Sequence, residues 1–346
     1  MCSSEVRIGH TLNETERQHV ADRAWTVLQC LQQLGISCSV TNFDWSIKLT
    51  SFFPKRCDVR FSYNFCDYID EHKLSDQRSK YTTTDPYPIY TVIDKKSKHD
   101  GLHADCWFEI TPDESGYSLT GAFVDSSCWG SQFENGQKIK DQAEIDMLFL
   151  QGNTPQMYYS ISIQMVTHWI WGTTYNYVYK MEVPSIHPSI LSSEKRAFVD
   201  AGLLNNSPYF SVLRQERDID LIISLDFSEG DPFQTVVDTA KTCTELHIPF
   251  PHCVVPTGEN TEPNDFYVFA GSTDTPTVIH IPLFNCINCP GEVEKWHKIY
   301  TTFQMEYTES MISDLLNKAG SNISNNKENL LREIKYIMEK KKAKLG

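Results

Sequence analysis

The stretch IDLIISLDF (219–227) is a continuous apolar run bounded by charged residues, and the segment DPFQTVVDTAKTCTELHI (231–248) follows almost at once. A short unbroken run of this kind marks a strand buried on both faces of a parallel sheet. The second segment carries helical periodicity, and the PFP triplet after it (249–251) stops the helix. A buried strand feeding directly into an amphipathic helix predicts an α/β chain with a sheet that is at least partly parallel.

The remaining elements fit that class. LNETERQHVADRAWTVLQCLQQLGI (12–36) is predicted as a helix: Val20, Ala24, Val27, Leu28, Leu31 and Leu34 recur at helical spacing, and Gly35 supplies a stop. KYTTTDPYPIY (80–90) reads as a proline-interrupted loop that enters the strand IYTVID (89–94). CWFEIT (106–111) alternates like another strand, with PDESG turning after it. The aromatic-rich MYYSISIQMVTHWIWGTTYNYVY (157–179) is read as helical. DFYVFAG (265–271) and TVIHIPL (277–283) form a strand pair across a turn. NKENLLREIKYIMEKKKAKLG (326–346) is an amphipathic helix with Leu330, Leu331, Ile334, Ile337 and Met338 on its apolar face.

Composition narrows the function. The chain has 346 residues, 40% of them hydrophobic, enough for a substantial core. Its formal net charge of −14 disfavours nucleic acid as a partner, because phosphate neutralisation needs a basic surface. No stretch approaches the length of a membrane span, and MCSSEVRIGH contains no apolar signal core, so a cytoplasmic protein is expected. Eleven scattered cysteines fit a reduced compartment. Cys286-Ile-Asn-Cys289 is a lone C-x-x-C without a second pair, and the eleven histidines lack zinc-ligand spacing. No metal and no cofactor are assigned.

The candidate site residue is Asp200. In AFVDAGLLNN (197–206) an apolar run ends in a carboxylate followed by Ala201-Gly202. Such an ending lifts the carboxylate off a sheet edge into a tight turn, the way α/β enzymes present a general base. Ordinary Asp–Gly turns have the same sequence, for local reasons.

Longer strings decide between these readings. FVDAGLLNNSPYFSVLR (198–214), IDLIISLDFSEGDPF (219–233) and IPFP (248–251) resemble the C-terminal half of the catalytic domain of the cytosolic (group IV) phospholipases A2. Further likenesses run in order: KLSDQR (73–78), DPYPIYTVID (85–94), WFEITPDESG (107–116), GAFVDSSCWGSQFENG (121–136), DMLFLQG (146–152), WIWGTTYNYVYK (169–180) and VIHIPLFN (278–285). The resemblance is strongest to the gamma-type branch, which lacks a calcium-binding C2 module. It implies a patatin-like α/β fold: a mixed central sheet, a Ser–Asp dyad at its heart and a lid above. It also implies one catalytic domain over residues 1–346, with an opening helix (12–36), a lid-like, aromatic-rich region (about 70–180) and a C-terminal half (181–346). Asp200 matches the family's catalytic aspartate. The implied substrate is a glycerophospholipid, met at a membrane surface by peripheral contact.

The departure from the family is equally specific. The family's nucleophile sits in a G-L-S-G-S elbow, and a glycine triplet followed by arginine forms its oxyanion hole. No two of this chain's 16 glycines are adjacent, and G-x-S-x-G does not occur. Ser131, Ser272 and Ser321 each follow a glycine, but none falls between a strand and a helix. The helix ending QQLGI (32–36) runs into SCSVTNFDWS (37–46), which resembles the family segment just after the nucleophile. An internal deletion between about Gly35 and Ser39 is therefore expected. An aspartate without a nucleophile has no proton to take. Two functions remain open: a phospholipase-family ester hydrolase by descent, and a catalytically inactive lipid-binding or regulatory paralogue. A Cys–His hydrolase is a weaker third, since no cysteine lies in an elbow. The terminal Lys340, Lys341, Lys342 and Lys344 read as a solvated helix end rather than a lipid contact, and the ending AKLG offers no prenylation cysteine. Asp200 should end a sheet strand with 219–227 as its buried neighbour, under a lid drawn from residues 70–85 and part of 106–180.

Overall fold

The computed structural model describes residues 73–76, 78, 87–145, 172–256, 262–301 and 307–345. The helix expected over 12–36, the proposed deletion point, most of 70–85 and the aromatic stretch 157–171 lie outside them. The described chain divides into two units, the first ending at Arg214 and the second beginning at Gln215.

The first unit is built on a six-stranded sheet. Its strands are β1 (Tyr90–Asp94), β2 (Trp107–Ile110), β3 (Glu114–Tyr117), β4 (Ala122–Asp125), β7 (Gly172–Tyr175) and β8 (Lys195–Asp200), in the order β4-β3-β2-β1-β8-β7. All its pairings are antiparallel. A separate hairpin joins β5 (Gln132–Glu134) to β6 (Gln137–Lys140). Short helices α1 (Lys95–His99), α2 (Pro188–Leu191) and α3 (Tyr209–Val212) fill the connections.

Strand β2 is buried along its whole length. On one face Phe108 packs on Phe198 (ring centroids 4.6 Å apart), Tyr117 (5.1 Å) and Trp129 (5.6 Å). On the other face Trp107 meets Phe210 at 4.8 Å. Aromatic pairs in these tilted and edge-on arrangements add to the burial of apolar area. Between β3 and β4 the backbones approach so closely that Gly116 has no room for a side chain. A Cβ there would stand 2.1 Å from the Ala122 carbonyl oxygen and 2.8 Å from Phe123 Cα. Those are backbone atoms of the paired strand, so Gly116→Ala must push the ladder apart. We expect it to cost ~1–3 kcal/mol, read as a lower denaturant midpoint, and an unchanged midpoint would contradict this packing.

The second unit holds a three-stranded sheet, β10-β11-β9, from β9 (Leu221–Asp226), β10 (Tyr267–Phe269) and β11 (Thr277–Pro282). Helix α4 (Gln234–Glu245) follows β9, and α5 (Val293–Ile299), α6 (Glu309–Asn325) and α7 (Lys327–Leu345) follow the sheet. β9 and β11 pair in parallel, and β10 runs antiparallel to β11. One sheet face packs Ile279 and Ile281 with Leu221, Ile223 and Leu225 against Ile323 of α6 and Leu330 and Ile334 of α7. The α6–β11 junction is tied by Asn322. Its amide donates to the Pro282 and Leu283 carbonyls (3.0 Å each), and its Oδ1 accepts from Asn285 and Asn288.

Several expectations are corrected. The run 219–227 is a strand, but β9 pairs with β11 in the second unit and is not the neighbour of the strand bearing Asp200. It lies at the margin of its sheet and is only partly buried. An apolar run reveals a strand; it does not name the partner. Among the described residues, parallel pairing is confined to β9–β11. Residues 107–125, expected in part as lid, supply three strands of the Asp200 sheet itself. The described end of 157–179 is not helical: Gly172–Tyr175 is strand β7, where β-branched Thr173 and Thr174 pair with Ala197 and Arg196. Helix α7 buries Leu330, Ile334 and Ile337, whereas Met338 is 51% exposed. The helix expected over 231–248 and the strand pair expected over 265–283 are both present.

Candidate active site

Asp200 is the last residue of β8, opposite Val92 of β1. Alternation places Arg196, Phe198 and Asp200 on one sheet face, and the register adds Val92, Asp94, Phe108 and Tyr117 to it. After Asp200 the chain enters a 3-10 turn, Ala201–Leu203, and the Asp200 carboxylate caps it: the Gly202 N–H donates to Oδ1 at 2.7 Å. The absence of a side chain at Gly202 makes this possible, since a Cβ would lie 3.2 Å from Asp200 Oδ1 and 2.7 Å from Asn206 Oδ1. The turn is pinned further by Lys98, whose Nζ donates to the Leu203 carbonyl at 2.7 Å. The carboxylate is thus partly exposed, at a strand end, with its orientation fixed by its own backbone. Such a group is suited to accept a proton.

The same face holds a buried ion pair that the sequence reading missed. Arg196 meets Asp94 through two bonds, Nε to Oδ2 at 2.7 Å and Nη2 to Oδ1 at 2.6 Å. Their side chains are 2% and 0% exposed. Tyr117 Oη donates to Asp94 Oδ2 (2.7 Å) and the Ser97 N–H to Oδ1 (2.9 Å), while Arg196 Nη1 reaches the Ser189 carbonyl at 3.1 Å. Burial, and then the adjacent Asp94 carboxylate, push the Tyr117 phenol well above its usual range. This network clamps β8 to β1 within one turn of Asp200. Its only trace in the sequence is a charge at the end of YTVID and another inside KRAFVD, in phase with the buried face.

The glycine-adjacent serines belong to other elements. Ser131 is buried, its Oγ accepting from the Gln142 N–H at 3.0 Å. Ser272 lies in the turn after β10, and Ser321 is inside α6, bonded to the Lys318 carbonyl at 2.8 Å. Of the aromatic stretch, Tyr177 is buried and donates to the Ala122 carbonyl at 2.5 Å, a core role. Among the terminal lysines, Lys341 pairs with Asp218 at 3.4 Å and with Asp220, and Lys340 reaches the Gly271 and Ser272 carbonyls at 3.2 and 3.1 Å. Both are engaged within the second unit.

That unit contains a second polar array. Ser224 and Asp226 on β9 share a face with His280 on β11, Ser224 directly opposite it in register. His280 is fully buried, and its Nε2 lies 2.7 Å from the Pro232 carbonyl. A carbonyl only accepts, so the proton is on Nε2. The Asp226 carboxylate, 4.0 Å from Nε2, accepts instead from the Ser228 N–H (2.6 Å) and Thr235 Oγ1 (2.5 Å). This is not a catalytic triad, because the ring proton goes to Pro232 and the serine sits in mid-strand.

Burial pushes the His280 imidazole below its ordinary value, against the opposing pull of Asp226, the Pro232 carbonyl and Asp231. The unfolded chain then binds the proton first, so His280 subtracts stability as pH falls from about 6.5 toward its folded value. We expect the His280 resonances to remain those of a neutral ring at pH 6.5. Half-protonation above that pH would refute this.

With this geometry in hand, comparison with known proteins is informative. No family model matches the chain. It is 29% identical over 363 residues to human cytosolic phospholipase A2 gamma, covering 73% of this chain and 66% of that protein. It is 26% identical to the mouse gamma protein (73% and 65% covered) and 24% identical to mouse cytosolic phospholipase A2 epsilon (82% and 43%). The chain thus spans under two thirds of the length of these relatives. Among solved structures, human GIVD cytosolic phospholipase A2 superposes with a TM-score of 0.62 at 20% identity, over 78% of this chain and 47% of that one. A structure of that protein in complex with a methyl gamma-linolenyl fluorophosphonate inhibitor and terbium chloride gives 0.59 at 18% identity, over 97% and 50%. The fold is therefore the mixed α/β, patatin-like fold of a cytosolic phospholipase A2 catalytic domain. The chain itself is a homologue of the cytosolic phospholipases A2, with gamma- and epsilon-type proteins among its relatives.

Proposed function

We propose that this chain descends from a glycerophospholipid acyl-ester hydrolase and keeps the base of its Ser–Asp dyad, Asp200, without the nucleophile that would use it. The observation that carries this reading is the strand-end carboxylate held by the Gly202 N–H, in a sequence that contains no G-x-S-x-G. Both described units belong, in this proposal, to one catalytic domain shortened by a deletion near Gly35–Ser39. The protein then acts as a lipid-binding or regulatory relative, cytoplasmic and peripheral at membranes. No described helix is long and apolar enough to cross one.

The proposal implies weak, calcium-independent association with phospholipid. In sedimentation with phosphatidylcholine vesicles, a minor fraction of the full chain should pellet, equally with and without a chelator. Binding that appears only with added calcium would overturn the calcium-independent reading, and no pelleting at all would remove the lipid-binding role.

A further inference from the structure

We propose that one water molecule is an integral part of the second unit, bound between His280 Nδ1 on β11 and Ser224 Oγ on β9. Both atoms are fully buried, and neither has a hydrogen-bond partner among the described residues. They belong to residues that face each other in register on the same side of the sheet. The residues themselves are 0% and 7% exposed, so bulk solvent cannot satisfy them.

Leaving such groups unpaired is costly, and folded proteins meet the need with an internal water that has two or more polar partners. The chemistry at the two ends is complementary. Because Nε2 carries the ring proton and gives it to Pro232, Nδ1 presents a lone pair and must accept. Ser224 Oγ can donate or accept. A water that donates one O–H to Nδ1 and bonds Ser224 through its oxygen or second hydrogen satisfies both. The opposite face of the same strands is the packed apolar cluster of Ile279, Ile281 and Leu225, so the polar bridge cannot be exchanged for a neighbouring side chain from that side. The bridge also gives the buried histidine a role: it joins β9 to β11 while keeping the ring neutral.

The test is a crystal structure of the full chain at a resolution that shows ordered water. We expect a density peak within hydrogen-bond distance, about 2.7–3.2 Å, of both His280 Nδ1 and Ser224 Oγ. The same crystals of Ser224→Ala should lose the peak or show it shifted onto Nδ1 alone. In solution, a long-lived water should give a cross-peak to the His280 ring. A direct Ser224 Oγ–His280 Nδ1 bond with no peak between them would overturn the proposal. So would a protein group occupying the position.

Discussion

Purified chain exposed to a fluorophosphonate probe should show no stoichiometric label on any serine, and it should release no fatty acid from phosphatidylcholine above a protein-free control. Ester cleavage through an acyl-enzyme needs a nucleophile, a base that activates it, and donors for the developing oxyanion. On the proposed reading this chain keeps one of the three, the base Asp200, which ends β8 with its carboxylate oriented by the Gly202 N–H. Loss of an oxyanion donor alone typically costs ~3–4 kcal/mol of transition-state stabilisation, and loss of the nucleophile costs more. Water activated by Asp200 would lack a partner for the tetrahedral intermediate. A solved relative has been captured with a fluorophosphonate inhibitor, so the probe suits the fold. Labelling at one serine, together with turnover abolished by Asp200→Asn, would show that a nucleophile is present after all.

Arg196→Met should lower stability by ~3–5 kcal/mol, because it strands the Asp94 carboxylate in the core with half its partners gone. For a unit of this size that is a fall in melting temperature of roughly 10 °C or more. The change retains most of the side-chain length, so the effect reads the lost charge rather than a large cavity. The double variant Asp94→Leu/Arg196→Met should recover much of the loss, since a buried pair replaced by apolar groups of similar volume is often nearly neutral. Equal melting of the single variant and the parent would mean that the pair is solvated.

What could be read from the sequence was what short-range chemistry dictates. Asp200 at a strand end, α4, the β10–β11 pair and α7 all follow from local periodicity and turn residues within a dozen positions. Partner choice did not follow. β9 looks like a central strand in sequence, yet its neighbour is β11, more than fifty residues later, and no local feature of IDLIISLDF specifies that. CWFEIT was legible and is β2, but β3 and β4 were hidden for a related reason: where the sheet is buried on both faces, polar Thr91, Glu109 and Ser115 are interior too, which blurs the alternation. The Arg196–Asp94 clamp joins positions 102 apart in the chain. The Ser224–His280 pairing is likewise a property of register alone.

The Asn322 junction has a consequence for how the second unit comes apart. One side chain bonds two carbonyls that end β11 and two asparagines of the loop after it, while Ile323 beside it packs in the same cluster as Ile279, Ile281, Leu330 and Ile334. If α6 lifts, the strand end loses its acceptors' partners and the cluster loses a wall at the same moment. The two C-terminal helices and the small sheet therefore open and close as a single cooperative block, with amide protons released together rather than from the terminus inward.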